Sequence, residues 1–310
     1  MTQGPFPDEQ DADGNFERQE DEFRDLVGQD PRYPAEPGRY HLYISLACPW
    51  AHRTLITRHL LGLENVISAS VVDPVRDERG WRFTSGDGHS QDQVEGFHFL
   101  SEAYELTKPH FHGRVTVPVL WDKQSRRIVN NSEDDICRMF QEAFSPATGV
   151  DLFPSDIAEE QAELSQWIYE RINNGVYRAG FASRQAAYDK GVQIVFAALE
   201  EMEERLAHGR YLFGHRIVES DWRLFCTLVR FDPAYHGHFK CNLKMLKEYP
   251  NLSGYLRDLY QQPGIADTVS IRHIKKHYYL THPELDPSGI VPMGPEQDLG
   301  EAHGRDKVYT

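Results

Sequence analysis

The sequence predicts a two-part fold, α/β followed by all-α. Three observations carry it. Strand and helix patterns alternate between residues 40 and about 144, helical patterns dominate residues 151–282, and Asp151-Leu-Phe-Pro stands where the first gives way to the second. A chain of 310 residues suits two compact domains. The expected boundaries are an extended arm over 1–38, an α/β domain over 39–150 with an insert at about 73–113, an all-helical domain over 151–282 and a C-terminal extension over 283–310.

The arm is acidic and rich in Pro, Gly, Asp and Gln, with no sustained period beyond a short helix expected around Phe23 to Leu26. Tyr40-His-Leu-Tyr-Ile-Ser45 alternates like a strand. Pro49 suits a first helical turn, where its missing N–H would be unpaired anyway. Leu55, Ile56 and Leu60 give that helix an apolar face, and Gly62 can end it in a left-handed conformation. Val66 to Val72 is a second strand, closed by Asp73-Pro74. The polar insert that follows bears Trp81, Phe83, Phe97 and Phe99; structureless segments of that length are usually functional or partly folded. Val115 to Trp121 and Arg127 to Val129 form a hairpin pattern, and Asn130-Asn-Ser-Glu-Asp-Asp-Ile opens a helix carrying Ile136, Met139 and Phe140. Helical runs are then expected over 156–173, 185–207, 220–230 and 251–261, and the tail is expected to wrap a surface.

Composition narrows the function classes. Lys and Arg number 33 against 48 Asp and Glu, a formal charge of −15, which argues against a nucleic acid or an anionic membrane as partner. No apolar run has the length to span a bilayer, and the acidic start lacks a signal-peptide pattern, so a cytoplasmic location is expected. Cys48, Cys137, Cys226 and Cys241 show neither Cys-x-x-Cys nor metal-ligand spacing. They read as reduced thiols, with no disulfide framework and no metal site.

Cys48 is different from the other three because it stands between a strand and a helix, just before Pro49. There it meets unpaired backbone N–H groups and the positive end of the helix dipole, which favour thiolate over a free thiol of pKa ~8.5. Ala51 occupies the place of a resolving cysteine, so a mixed disulfide on Cys48 must be cleared by an outside thiol. Pro118 lies inside an apolar strand pattern, where proline removes a ladder hydrogen bond. A cis Val117–Pro118 bond and an edge strand both remain open.

Cys-Pro after the first strand, Val-Pro before the third, and a helical second half together resemble the glutathione transferase superfamily. Such proteins pair a thioredoxin-like N-terminal domain with a C-terminal helical domain of glutathione transferase type. "ACPWAHR", "GWRF", "GRVTVPVLWD", "NNGVYRAGFA", "LFCTLVRFDPAYHGHFKCNL", "IRHIKKHYY" and "GIVPMGP" are similar to the Xi class, the glutathionyl-hydroquinone reductases, over about residues 38–295. The resemblance implies a thiol-dependent reductase that cleaves glutathionyl-hydroquinones to hydroquinone and disulfide, through a mixed disulfide on Cys48. It implies a homodimer and, with no permanently bound cofactor, glutathione or a related small thiol as co-substrate.

It carries the role of phenolic proton donor onto Tyr177, Tyr235 and Tyr278. It carries thiol binding onto Trp81 as a lid, Arg114 as a carboxylate partner, the Val117 backbone beside Pro118, and Ser132 and Glu133 at a helix start. His236 and His238 read as packing residues. Two departures stand out. Members usually carry Glu-Ser where this chain has Ser132-Glu133, and a Ser or Thr of a capping box where this chain has Val218. The first would turn a carboxylate toward the ligand carboxylate, which predicts weaker use of glutathione and opens mycothiol as an alternative. The missing hydroxyl at Val218 is expected to cost ~1 kcal/mol. A conjugating transferase would not need Cys48, and a non-catalytic binding module on this scaffold would leave it inert.

Overall fold

The computed structural model describes residues 9–144 and 148–306 and divides into two compact units. One unit comprises residues 19–151 and 268–277; the other comprises residues 1–18, 152–267 and 278–310.

The first unit is built on a four-stranded sheet of β1 (Tyr40–Ile44), β2 (Ser68–Val71), β3 (Val119–Asp122) and β4 (Arg127–Asn130), in the order β2-β1-β3-β4. β1 and β2 are parallel, joined by α1 (Pro49–Leu60); the other pairings are antiparallel. Every residue of β1 and β3 is buried, as expected for central strands covered on both faces. α3 (Glu133–Phe144) packs against α1, burying Ile136, Met139 and Phe140. This is the thioredoxin-like arrangement.

Two buried aspartates order the long insert. The Asp73 carboxylate accepts hydrogen bonds from Thr84 (2.6 Å), the Val75 N–H (2.8 Å) and Arg82 (3.1 Å). Asp92 accepts from the N–H groups of Val94, Glu95 and Phe97 at 3.0–3.1 Å and from the Tyr43 hydroxyl. A polar loop thereby satisfies its backbone without regular structure. The insert also contains α2 (Ser101–Thr107), which its sequence pattern did not reveal.

The expected helix at Phe23–Leu26 is absent. Arg24 instead forms an antiparallel bridge with Asn130, and the Phe23 N–H donates to the Asn131 side chain at 2.9 Å. Pairing with the open edge of β4 outweighs a helix too short to nucleate alone. The arm expected over 1–38 is accordingly divided: residues from 19 onward belong with the sheet, and those up to 18 with the helical unit. The strand expected from Val115 is shorter too, because β3 begins only after Pro118.

The second unit is helical: α4 (Ala158–Ile168), α5 (Gly175–Gly180), α6 (Gln185–Ala207), α7 (Glu219–Arg230) and α8 (Pro250–Tyr260). α9 (Ile271–Thr281) begins in the first unit and ends in the second. Two helices pass into π-helical turns, Tyr169–Asn173 after α4 and Phe231–Tyr235 after α7. In the second, Pro233 has no N–H to continue the α ladder, and the His236 N–H reaches back five residues to the Phe231 carbonyl at 2.8 Å. In the tail, buried Arg305 donates to the carbonyls of Leu206 (2.8 Å), Arg210 (3.1 Å) and Gly209, closing the C-terminal end of α6. Among the described residues no helix is long and apolar enough to cross a membrane.

Val218 caps α7 with half a capping box. It offers no side-chain acceptor, but the Asp221 carboxylate still accepts the Val218 N–H at 2.9 Å. The same carboxylate accepts the Leu212 N–H (3.0 Å) and the Tyr255 hydroxyl (2.8 Å). Burial outweighs these three donors and lifts Asp221 to about 6. Its folded pKa lies above its unfolded one, so this contribution to stability is fully present below about pH 4 and is lost as pH rises through about 6. Asp221→Ala leaves three buried donors without this acceptor and is expected to cost about 3 kcal/mol. A urea midpoint unchanged in the variant would contradict this.

Candidate active site

The first unit holds the candidate thiol residues. Cys48 is the N-cap of α1, with extended backbone (φ −79°, ψ 123°) and Pro49 in the first turn. It is half-buried, whereas Cys137, Cys226 and Cys241 are buried. Burial raises the Cys241 thiol to about 12, which makes it a poor nucleophile. The Cys48 Sγ lies 3.6 Å from the Val117 carbonyl oxygen, and the Val117–Pro118 bond is cis. Of the two readings the residues left open for Pro118, the structure has the cis bond, with Pro118 outside the ladder of a central strand. Val117 itself is buried, 4% exposed. Arg114 lies half-exposed in the segment leading to that bond. Trp81 is only 4% exposed, stacked on His277 at 4.9 Å with Arg76 over its ring.

Ser132 and Glu133 stand where the sequence put them, at the start of α3. The Ser132 N–H donates to the Asn130 side chain (2.8 Å), and its carbonyl accepts the Ile136 N–H (3.0 Å), the first bond of the helix. Three consecutive acids, Glu133, Asp134 and Asp135, fill the first turn. Each has an arginine. The buried Arg53 guanidinium lies 3.5 Å from Glu133 and pairs with Asp134, and Arg24 holds Asp135 through two hydrogen bonds. The like-charge contact expected of the reversed Ser-Glu order is therefore offset by two cations. Arg53 stands in the "ACPWAHR" segment, one and a half turns beyond Cys48, but nothing in that spacing announces its partners.

The second unit holds the three candidate phenols. The Tyr177 and Tyr278 hydroxyls are 2.6 Å apart, and those of Tyr235 and Tyr278 are 3.0 Å apart. Tyr278 is the link. α5 carries Tyr177, the π turn after α7 carries Tyr235, and α9 carries Tyr278. Phe239 packs against all three rings at 5.3–5.4 Å. Gly180 makes room for it, because a Cβ there would lie 2.2 Å from the Phe239 ring. Burial raises Tyr235 and Tyr278 well above the usual phenol value; neighbouring tyrosines add to this and Arg230 opposes it. Both are neutral hydrogen-bond donors at physiological pH. His238 is buried, and burial depresses it to about 4, so it packs against Tyr278 and Phe239 as a neutral ring. Arg230, Phe239 and the arm residues Phe16 and Arg18 were not singled out from the sequence. Arg230 and Phe239 lie inside a quoted motif, whereas the arm shows no periodic signal at all.

Comparison with known proteins agrees with this division. Residues 47–143 match the glutathione S-transferase N-terminal domain model and residues 185–258 the C-terminal domain model. The chain is 49% identical to the glutathionyl-hydroquinone reductase YqjG of Escherichia coli, covering 94% of this chain and 93% of that one. It is 45% identical to the glutathionyl-hydroquinone reductase PcpF of Sphingobium chlorophenolicum, with the same coverage. The Xi-class transferase of Natrialba magadii superimposes with a TM-score of 0.90 at 50% identity, covering 92% of this chain and 89% of that one. Glutathione-bound YqjG superimposes with a TM-score of 0.89, covering 93% and 97%. A capped cysteine without a resolving partner, a cis-proline beside it and a helical unit holding three linked phenols thus occur in a chain that belongs to the Xi class of glutathione transferases, the glutathionyl-hydroquinone reductases.

Proposed function

We propose that this protein reductively cleaves the thioether of glutathionyl-hydroquinones, with glutathione as co-substrate and no permanently bound cofactor. The Cys48 thiolate attacks the thioether sulfur. An S–S bond forms as the aryl C–S bond breaks, and its electron pair passes to the ring carbon, which takes up a proton. The two sulfurs are oxidised and the ring carbon is reduced. A second glutathione thiolate then attacks the glutathione-derived sulfur, releasing glutathione disulfide and restoring Cys48. Tyr177, Tyr235 and Tyr278 serve as the phenolic donors that stabilise and protonate the ring. Trp81, Arg114, Val117, Pro118, Ser132 and Glu133 serve the thiol tripeptide.

The observation that carries this reading is the half-buried Cys48 at a helix N-cap, with Ala51 one turn on and the other cysteines buried. Mixing the protein with a glutathionyl-hydroquinone and no free thiol is expected to release one equivalent of hydroquinone and leave glutathione on Cys48, as read by mass spectrometry. Release without an adduct would refute the covalent route.

Two arginines set against the three carboxylates of Glu133, Asp134 and Asp135 favour glutathione over mycothiol, because they reduce the repulsion that the γ-glutamyl carboxylate meets there. Steady-state kinetics should give saturation with glutathione and no gain with mycothiol. Arg53→Met should raise the glutathione KM about tenfold, the equivalent of ~1.4 kcal/mol, with a smaller change in kcat. Preference for mycothiol would overturn the assignment. We further propose a cytoplasmic homodimer joined mainly through the helical unit. Deleting residues 1–30 should leave the dimer intact, and a monomer on sedimentation at micromolar concentration would count against it.

A further inference from the structure

Residues 10–18 of the N-terminal arm form neither helix nor named strand, yet they meet α5, the helix that carries Tyr177, and the residues just after it. The Asp11 carboxylate accepts the N–H groups of Asp13 (2.9 Å) and Asn15 (2.8 Å) and the Asn15 side chain (2.7 Å), which folds "DADGN" into a turn. Gly14 has φ +82°, and a Cβ there would lie 2.7 Å from the Ser183 Oγ, so the turn needs glycine for both conformation and approach. The Ser183 N–H donates to the Gly14 carbonyl (3.2 Å), and the Gln10 amide donates to the Phe181 carbonyl (2.8 Å). Beyond the turn, Phe16 pairs back with Gln10 in an antiparallel bridge. Residues two apart on an extended segment face the same way, so Phe16 and Arg18 meet the same neighbour.

That neighbour is Tyr177. The Phe16 ring is buried 6.4 Å from the Tyr177 ring and 5.5 Å from Phe181. The Arg18 guanidinium lies over the Tyr177 ring, 5.0 Å from its centroid, and its Nε donates to the Asn174 side chain, at the start of α5, at 3.3 Å. A cation on the face of a phenol ring holds it electrostatically and polarises its O–H. The hydroxyl so held is the one 2.6 Å from Tyr278.

We propose that residues 10–18 form a strap in which Phe16 and Arg18 are positioning residues for Tyr177, so that the arm serves proton delivery in thioether cleavage. This rests on the reading of Tyr177 as a phenolic donor. Thiol–disulfide exchange at Cys48 makes no such demand: its leaving group is a thiolate, and no carbon has to be protonated.

The test compares two reactions of the full-length protein: reduction of a glutathionyl-hydroquinone, and reduction by glutathione of the mixed disulfide of glutathione and 2-mercaptoethanol. In the second, Cys48 attacks the glutathione sulfur, releases 2-mercaptoethanol, and is freed by glutathione as glutathione disulfide. Arg18→Met is expected to lower kcat for the thioether about tenfold, within the range that misplacing a reacting group produces. The disulfide reaction should stay within about twofold, which also reports that the variant is folded. Arg18→Lys, which keeps the charge, should recover part of the loss, and Tyr177→Phe should fall more on the thioether than on the disulfide. Parallel loss of both reactions in Arg18→Met, or loss of neither, overturns the strap. A selective loss in Tyr177→Phe beside either result leaves the phenol reading standing; no selective loss in Tyr177→Phe removes that reading and the strap with it.

Discussion

Replacing Cys48 with alanine should lower thioether reduction by on the order of 10⁴-fold or more, to the background rate, because the covalent step loses its nucleophile. No other thiol can take over. Cys137, Cys226 and Cys241 are buried, and burial holds Cys241 protonated. Cys48→Ser should fail nearly as completely. A serine alkoxide is inaccessible at this N-cap, because a hydroxyl is far less acidic than a thiol, and an S–O bond cannot stand in for the mixed disulfide. Removing the thiol gives up the Sγ contact with the Val117 carbonyl, and the unfolding midpoint is expected to stay close to that of the parent. Substantial reductase activity in Cys48→Ala, measured on protein freed of contaminating thiols, would eliminate the mechanism.

Tyr278→Phe should produce the next largest loss in turnover, about 10²-fold, as expected for removal of a general acid. Tyr278 is chosen because its hydroxyl bonds both Tyr177 and Tyr235, so its loss breaks both links at once. The effect should fall on kcat with hydroquinone thioethers and much less on the glutathione KM. An unaltered kcat, or a loss confined to KM, would remove the phenols from the chemistry. The pH dependence follows from their burial. Tyr235 and Tyr278 have pKa values raised above the usual ~10. Their protonated forms therefore persist through pH 10, and these two groups impose no alkaline fall in kcat below that point. By linkage, their contribution to stability is fully present below the unfolded pKa of ~10 and is lost as pH rises through the folded values.

The reading of Pro118 shows how far local chemistry reaches. Proline within an apolar strand forced a choice between a cis bond and a sheet edge. The choice became visible only when β3 was placed between β1 and β4, where an edge position does not exist. Trp81 shows the opposite case. The resemblance alone marked it for thiol binding, and only the structure shows that His277, far along the chain, stacks on its ring. The Ser132-Glu133 reversal was legible as a change of charge. Its consequence was not, because Arg53 and Arg24 reach the same helix start from two other segments.

By itself the sequence determined the two-part architecture, the strand-to-helix junction at Cys48, the missing resolving thiol, and the motif positions of Tyr177, Tyr235 and Tyr278. These follow from period, capping and spacing, which act over a few residues, or from long motifs that persist as units. Only the tertiary structure decided that the three hydroxyls form one chain through Tyr278, that two arginines from separate segments pair with the three acids at the start of α3, and that an irregular stretch of the arm meets Tyr177. Hydrogen bonds, ion pairs and ring contacts join residues by distance in space, and no local pattern of the chain records which distant partner will arrive.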